Sequence, residues 1–468
     1  MPELKWNLEK YFSICGICNN IIKKNCDLYF ISNPTLNVIR EHIFSLKKFD
    51  LIFKKSFFIK GIFIFFANYL YSILKIFFII FKINKKKNNF SYKKIIFFSH
   101  SLHQNYDENN KQNDFYFSHI TKEINSENLD IFYIKHHKSD GEKLHINDEL
   151  SLINEIKIFL NLNSHMFQLI KLFIKAKDLE RKIIFLSIIN NFSQEHFKNL
   201  RIYHNTFFLL NIIKPKIIFT TFEGHSYERL IYAASYDTKN SIKRYAFSHS
   251  IIFKHQNAIK LKMPEKFSPN IIFTAGSSGL KFLEKNLEDK DIKIDVLGSN
   301  RFIERKTFKG KKIRQLLFIP EGYVEENDLF LNFAKKILGK NKEIKILIRF
   351  HPIFLDQLNK IFKNNNNDRI MLSKNSNIED DFKICEAFVF RGSTLAVQAA
   401  RHGLAPIYYN RFSDLNINPF HDFPDGYKSV NNENQLNDYL KSNLIEFNND
   451  FTNNYFRMID IETLKKYL

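Results

Sequence analysis

The sequence predicts an α/β protein in which two parallel-sheet domains face a cleft, preceded by a helical N-terminal extension. Short apolar runs rich in Ile and Phe recur along the chain and end in small or polar residues. Several of these runs pass through a turn directly into a helical pattern, which is typical of doubly wound parallel sheets. At 468 residues, the chain is long enough to form more than one hydrophobic core.

The segment 344–410 carries this pattern most clearly. Each half is an apolar run that ends in polar residues, Arg349–Pro352 in the first half and Arg391–Thr394 in the second. The second run continues into a small-residue helix predicted over Ser393–His402. Gly403 ends this helix before a further strand predicted over Ala405–Tyr409.

Changes in composition divide the chain into four parts: residues 1–92, a helical N-terminal region; 93–305, a first α/β domain; 306–440, a second α/β domain; and 441–468, a helical tail. Strands of the first α/β domain are predicted at 94–99, 131–134, 216–220, 245–248, 271–274 and 293–297. Helical periodicity fills 150–213 and 227–234. The second domain adds strands at 315–319 and 369–372 to those of the segment 344–410.

The N-terminal region contains one long apolar stretch, Phe57–Lys82. Its few non-apolar residues fall on one narrow stripe of a helix: Gly61, Asn68, Ser72, Lys75 and Lys82. The cluster Lys85–Lys87 follows and suits an anionic membrane leaflet. Three interpretations stay open, namely a helix lying in the membrane interface, a buried helix of the first domain and a membrane span.

Charge and cysteine content narrow the class of protein. The net charge of +21 favours phosphates or an anionic membrane surface as partners. Nucleic acid is not an expected partner, because the sequence has no recognition helix, RNA-binding signature or zinc finger. A single CxxC at Cys15 and Cys18 without a second pair indicates reduced thiols rather than structural zinc. The charged N-terminus lacks a secretory signal, which indicates a cytoplasmic protein.

Polar residues at two predicted strand ends form the first candidate site. In Gly392-Ser393-Thr394, Gly permits close backbone approach to a ligand, a hydroxyl at the helix start satisfies free N–H groups, and the helix N-terminus favours an anion. His351, after the other strand, is suited to binding or protonating a phosphate. The alternatives are a capped helix without a ligand and a surface histidine. Because carboxyl ends of parallel strands share one edge, we expect both motifs to face one phosphate-bearing ligand.

Glu223 is the candidate base of the first domain, since it follows an apolar strand and precedes a glycine. Its alternatives are a helix cap or an ion pair with Arg229. His225 and His249 are alternative bases or substrate ligands.

Two acidic stretches are candidate ligands of a ribose or a sugar. They are Glu321 with Gly322, and the turn 379–381. The alternative for this acidic turn is a solvated surface patch without a ligand. The sequence has no Walker A loop, no GxGxxG after a strand, no GxSxG elbow and no DxD pair suited to a bound metal.

Four segments resemble bacterial surface-carbohydrate glycosyltransferases of the GT-B class: TTFEGHSYERLIYAA, YAFSHSIIFKHQNA, LIRFHP and FRGSTLAVQAARHGLAPIYY. The resemblance covers about residues 93–430. In GT-B sialyltransferases, a His-Pro motif and a Ser/Thr motif hold CMP, and an acidic-acidic-Gly motif supplies the base. His351-Pro352 and Ser393-Thr394 match the first two motifs. Phe222 stands where the third motif has its first acid.

The resemblance implies two Rossmann-like domains of the GT-B type, the first for the acceptor and the second for a nucleotide sugar. It implies metal-independent, inverting transfer from a nucleotide-activated sugar, such as a CMP-linked acidic sugar, in capsule or lipopolysaccharide synthesis. No cofactor is expected besides this donor, and the acceptor would be a glycan or a lipid-linked glycan at the inner face of the cell membrane. Site residues would be Glu223, His351, Arg349, Arg391 and the Gly392–Thr394 turn. The alternatives are a CDP-glycerol-type polyol phosphotransferase and a non-catalytic nucleotide-sugar-binding or assembly scaffold.

Overall fold

The structure is a computed structural model. It describes residues 8–36, 56–81, 92–101, 114–135 except 115 and 125–127, 145–307 except 147 and 149, 312–441 except 323, 352–353, 355–361, 363–366, 376 and 412–415, and 447–468. The predicted contributions of Pro352 and of the lysines at 82 and 85–87 lie outside the described residues.

Within the described residues, the first domain is built on a six-stranded parallel sheet in the order β2-β1-β3-β4-β5-β6. The strands are β1 (Ile95–Ser101), β2 (Leu129–Lys135), β3 (Ile217–Thr221), β4 (Lys243–Ser248), β5 (Ile271–Thr274) and β6 (Lys293–Val296). The strand order reverses direction between β1 and β3, which are hydrogen-bonded neighbours. Ligands of open parallel sheets bind at such a reversal, outside the carboxyl ends of the strands.

The second domain has its own six-stranded parallel sheet in the described part of the chain, in the order β12-β11-β10-β7-β8-β9. The strands are β7 (Gln315–Ile319), β8 (Lys345–Ile348), β9 (Ile370–Leu372), β10 (Ala387–Phe390), β11 (Ala405–Tyr409) and β12 (Lys428–Val430). Here the order reverses between β7 and β10. Two Rossmann-like sheets confirm the predicted fold class of two α/β domains of the GT-B type.

Helices cover both sheets. They are α1 (Leu8–Lys24), α2 (Leu28–Ser32), α3 (Ser56–Phe81), α4 (Ser118–Glu123), α5 (Leu152–Lys175), α6 (Asp178–Ile189), α7 (Gln194–Ile213), α8 (Ser226–Asp237), α9 (Ser277–Asn286), α10 (Val324–Lys340), α11 (Ile378–Ile384), α12 (Leu395–Arg401), α13 (Glu433–Lys441) and α14 (Ile461–Lys465). Coverage on both faces explains why the strands are continuous apolar runs without alternation. In the first sheet, the ring of Phe219 on β3 stacks with the ring of Phe97 on β1 and with that of Phe273 on β5.

The N-terminal helices belong to the core of the first domain. Ile14, Cys18 and Phe30 are buried in one cluster with Leu230 and Ala233 of α8. Residues 8–36 therefore do not form a separate lead-in, although their composition suggests one. Helix α3 is the element of the described chain long and apolar enough to cross a membrane, with a mean hydropathy of 1.7 over Ile59–Phe78.

The C-terminal tail returns to the first domain. Leu464 is fully buried in the core under the first sheet, and the Tyr245 hydroxyl donates to the carbonyl of Tyr467 at 2.5 Å. A Cβ on Gly276 would lie 2.3 Å from the carbonyl oxygen of Tyr455, so only glycine allows the tail to pass this close. The tail therefore ties the second domain back to the first.

Candidate functional site at the carboxyl edges of the two sheets

Polar side chains meet at the reversal point of the first sheet. His100, near the end of β1, lies with its Nε2 3.0 Å from the Thr221 hydroxyl at the end of β3. The hydroxyl of Tyr227 is 3.3 Å from the same ring nitrogen. Tyr116 packs edge-on against both His100 and His249. This edge therefore presents two histidines and two tyrosines around the end of β3.

The turn after β3 is held from below by Glu228. Its carboxylate accepts hydrogen bonds from the backbone N–H groups of Glu223, Gly224 and His225 at 2.8–3.1 Å. Gly224 has a φ of +87°, and a Cβ there would lie 2.6 Å from the Ala258 Cβ. Burial raises the pKa of Glu228 to about 7. The N-cap position of α8 is His225, and Glu228 is the acidic residue of its capping box, so the interpretation of Glu223 as a helix cap is wrong.

With the turn fixed from below, the Glu223 carboxylate is directed at two histidines. Its Oε2 lies 3.2 Å from His225 Nε2, and its Oε1 lies 3.6 Å from His249 Nε2. The Glu223 side chain keeps 27% of its surface exposed, whereas that of His249 keeps 5%. Burial lowers the pKa of His249 to about 4, so this ring is neutral near pH 7. The result is an accessible carboxylate beside a neutral imidazole.

Arg229 and Phe222 serve the fold beside this turn. The two Nη atoms of Arg229 donate to the carbonyls of Phe267 and Ala258, both at 3.1 Å. The guanidinium also lies over the buried Phe222 ring, 4.9 Å from its centroid. The alternative of an ion pair between Arg229 and Glu223 is therefore wrong. Because Phe222 points into the core, this position contributes no group to the cleft.

At the reversal point of the second sheet, Glu321 follows β7 and Gly392 follows β10. A Cβ on Gly392 would lie 2.9 Å from Glu321 Oε1, so the glycine is needed for this close approach. Among the described residues, that buried oxygen has no hydrogen-bond partner. Burial, with the nearby charge of Glu326, raises the pKa of Glu321 to about 8. Glu321 is thus a neutral carboxyl near pH 7, with one oxygen left for a ligand.

Arg391 and Glu326 form a second layer behind Glu321. The Nε of Arg391 lies 3.4 Å from Glu326 Oε1, and both side chains are almost fully buried. The guanidinium lowers the pKa of Glu321 against the larger effect of burial. A direct contact between Arg391 and a phosphate stays a prediction, since its Nε is directed at Glu326.

His351 follows β8 and lies against the loop after β7, next to the same reversal point. A Cβ on Gly322 would be 3.3 Å from the His351 ring, so Gly322 leaves the ring room against the loop after β7. Partial desolvation and the charge of Arg301 lower the pKa of this exposed histidine. His351 therefore lies beside Gly322, and its contact with a phosphate stays a prediction.

The Ser393-Thr394 turn does not cap its helix. Helix α12 begins at Leu395, and Thr394 at its N-cap makes no side-chain cap hydrogen bond. The predicted helix start at Ser393 and the hydroxyl cap are therefore wrong. Instead, the Thr394 hydroxyl accepts a hydrogen bond of 2.7 Å from Nη1 of Arg301.

Arg301 joins the two halves of the site. It follows β6 of the first sheet, and its guanidinium reaches Thr394 beyond β10 of the second. Burial lowers the pKa of Arg301, whereas the Glu223 carboxylate favours its charged form. Burial also lowers the pKa values of His249 and His351, and the positive charge of Arg301 lowers them further. No sequence motif singles out Arg301 as a site residue. Its position one residue after the small, polar triplet 298–300 is the signal that could have identified it.

Arg349 and the acidic turn at 379–381 bind each other. Nη1 of Arg349 donates to the buried Asp381 carboxylate at 2.7 Å, and also to Ser373 and Asn375. Asp381 is therefore not open to a ribose or a sugar. Arg349 has a structural partner, and its contact with a substrate stays a prediction. Within the described residues, no group of three or more His, Cys, Asp or Glu side chains could hold a metal ion.

No protein-family model matches the chain, and no curated protein matches it. Among solved structures, it is similar to UDP-GlcNAc 2-epimerase from Methanocaldococcus jannaschii in complex with UDP-GlcNAc and UDP, with 11% identity over 81% of this chain and 100% of that one, at a TM-score of 0.45. It is also similar to the lipopolysaccharide outer core galactosyltransferase WaaB (14% identity, 80% and 98% of the two chains, TM-score 0.41).

A third similar structure is TarM, with 13% identity over 51% of this chain and a TM-score of 0.35. The chain spans about half the length of TarM, since the similarity covers 50% of that chain. With identities and TM-scores this low, none of the three assigns an activity to the chain.

Proposed function

We propose that the chain is a glycosyltransferase that uses a nucleotide-activated sugar, and that Glu223 acts as its base. The observation that carries this proposal is the contact of Arg301 with Thr394, which places a guanidinium between the reversal points of the two sheets. The phosphate of a sugar donor needs positive charges and neutral hydrogen-bond donors around it. The acceptor hydroxyl needs a base on the other side of the cleft. The two edges supply these groups separately.

The donor half is formed by the second sheet. A phosphate oxygen lying by Gly392 would find the Arg301 guanidinium, the Thr394 hydroxyl and the protonated carboxyl of Glu321. Such groups stabilise the negative charge that develops on a departing phosphate, because they are already oriented and partly shielded from water. His351 beside Gly322 adds a neutral imidazole for the nucleotide phosphate. A CMP-linked acidic sugar is the donor that the sialyltransferase-like motifs favour.

The acceptor half is formed by the first sheet. Glu223 would take the proton of an acceptor hydroxyl while that oxygen attacks the anomeric carbon. The bond from this carbon to the phosphate oxygen breaks, and its electron pair leaves with the nucleotide. Attack opposite the leaving group inverts the anomeric configuration. His225 hydrogen-bonds Glu223 and orients the carboxylate for this step.

The proposed biological acceptor is a growing surface glycan or a lipid-linked glycan at the cytoplasmic face of the membrane. The open first-sheet edge supports an acceptor of this size, since Glu223 and His225 are accessible side chains at that edge.

The donor half is tested by isothermal titration of CMP, CDP and UDP at pH 6.5 and pH 9. Because its pKa is raised to about 8, Glu321 is neutral below that pH and charged above it, where it repels a phosphate. We therefore expect nucleotide affinity to fall between the two pH values in the wild type and to stay level in Glu321→Gln. If no nucleotide binds at either pH, the transferase proposal is wrong. Preference for CDP with polyol-phosphate transfer would instead support the phosphotransferase.

The base is tested by Glu223→Gln, which keeps the size of the side chain and removes its basicity. We expect transfer to fall by about 10²–10⁴-fold, with little change in donor affinity. Glu284→Gln is the matched control, since Glu284 is an exposed carboxylate on α9 of the same domain. A loss below tenfold in Glu223→Gln would move the role of base to His225 or His249.

A further inference from the structure

Helix α3 turns its apolar side away from the protein. Large side chains along the helix are 47–72% exposed: Phe63, Phe66, Leu70, Leu74, Phe77 and Phe78. A water-soluble helix normally buries such a stripe against the core and exposes its polar residues. An apolar surface of this extent on one helix indicates a binding face rather than scattered exposed residues.

The orientation of α3 is set by its contacts with the first domain. Gly61 lies so close to α6 that a Cβ would be 2.4 Å from Ile189 Cδ1. Further along, the Ser72 hydroxyl donates to the carbonyl of Phe192 at 3.2 Å. Gln194 accepts a hydrogen bond from Lys75 at 3.2 Å. The non-apolar stripe is therefore the side that packs on the protein, and the buried-helix interpretation does not account for the opposite side.

Helix α5 extends the apolar face. It packs beside α3, with the rings of Tyr69 and Phe159 at a centroid distance of 5.4 Å. Leu160, Phe167 and Ile174 of α5 are 60–70% exposed, while its opposite side is buried in the domain. The two helices together present more apolar surface than either would alone.

The exposed charges on these two helices are positive. Helix α3 contains no Asp or Glu, and Glu155, the acidic residue of α5, is buried in an ion pair with Arg201. Lys60 of α3 and Lys171 and Lys175 of α5 are exposed. An apolar face with a basic border suits the interface of an anionic bilayer. The same border disfavours a second copy of this chain, because like charges would meet across the contact.

We propose that the exposed faces of α3 and α5 bind an anionic lipid bilayer, with α3 lying in the plane of the membrane interface. A membrane span would remove Gly61, Ser72 and Lys75 from their partners in the first domain, so the packed helix fits the interface and not the span. Helix α7 ends at Ile213, shortly before β3 begins at Ile217, so its start at Gln194 lies near the carboxyl edge of the first sheet. The bilayer would therefore adjoin the edge that carries Glu223.

The test is flotation of the full-length protein with vesicles of phosphatidylcholine alone or mixed equally with phosphatidylglycerol. We expect strong flotation with the anionic vesicles, weakened by added salt. The variant Phe63→Ser/Phe66→Ser/Phe77→Ser/Phe78→Ser should lose about tenfold or more in binding. Its control is Ile384→Ser/Met458→Ser, which removes two exposed apolar side chains from the second domain and the tail and should bind like the wild type.

Thermal unfolding and nucleotide titration of each variant show whether the fold and the donor half are intact. The proposal is overturned if the wild type stays with the unbound fraction, or if the four-serine variant binds anionic vesicles within twofold of the wild type. It is also overturned if light scattering shows a wild-type dimer that the four-serine variant loses while neither protein binds vesicles. In that case the face holds a second copy. Nucleotide binding does not depend on either outcome.

Discussion

Replacement of Arg301 by alanine is expected to lower the rate of transfer by about 10³-fold, because one preoriented cation beside a developing charge contributes on this scale. The guanidinium donates a hydrogen bond to the Thr394 hydroxyl across the cleft. Its positive charge also interacts with the Glu223 carboxylate and with the His351 ring. Its loss removes both the charge and the hydrogen bond that links the two domains. The measurement is kcat and KM with a nucleotide-sugar donor, together with nucleotide affinity by titration.

The control for this prediction is Arg305→Ala, four residues further along the chain. Arg305 pairs with Asp450 away from the cleft, so the transfer activity of the Arg305→Ala variant should stay within twofold of the wild type. Arg301→Lys should recover only part of the rate, since a lysine keeps the charge but not the planar fork that reaches Thr394. Activity of a folded Arg301→Ala protein within tenfold of the wild type would remove Arg301 from the proposed mechanism.

Glu228→Ala is expected to lower the free energy of unfolding by about 3 kcal/mol, because it leaves buried N–H groups without an acceptor. The N–H groups of Glu223, Gly224 and His225 all donate to this carboxylate. Since the same turn carries the proposed base, activity should fall as well. Denaturant unfolding gives the stability, and the transfer assay gives the activity.

Glu228→Gln separates the loss of charge from the loss of an acceptor. The amide oxygen of the glutamine can still accept hydrogen bonds from some of the three N–H groups. We therefore expect about half of the destabilisation of Glu228→Ala. The exposed carboxylate of Glu284 on α9 serves as the reference, since Glu284→Ala should change the unfolding free energy by no more than about 0.5 kcal/mol. Equal stability of Glu228→Ala and the wild type would mean that Glu228 does not hold this turn.

The strands of both sheets can be predicted from the sequence because each is buried on two faces. Continuous burial requires runs such as Ile217–Thr221, and the predicted strand at 216–220 differs from it by one residue. Gly403 has a φ of +93° and ends the helix before β11 in the way its position in the sequence predicts. These features depend on neighbours along the chain, so local residue patterns carry them.

The roles of individual site residues are less accessible from the sequence. Glu223 and Glu228 lie five residues apart, yet one is open to the cleft and the other is fully buried. Thr394 has the residue type of a helix cap, but its hydroxyl bonds Arg301, which is 93 positions away. Local patterns cannot separate these cases, because burial and partner choice depend on packing between distant segments.

By itself, the sequence determines that two parallel-sheet domains form and that Glu223, Glu321, His351 and the Gly392–Thr394 turn lie at the carboxyl ends of strands. Tertiary structure alone decides that Arg301 bridges the two edges and that Glu321 is buried enough to hold its proton. It also decides that α3 exposes its apolar side, because Gly61 and Ser72 find partners on the first domain. These three outcomes have the same physical reason. Desolvation and close contact act between segments that are distant in the chain, and only the folded protein brings those segments together.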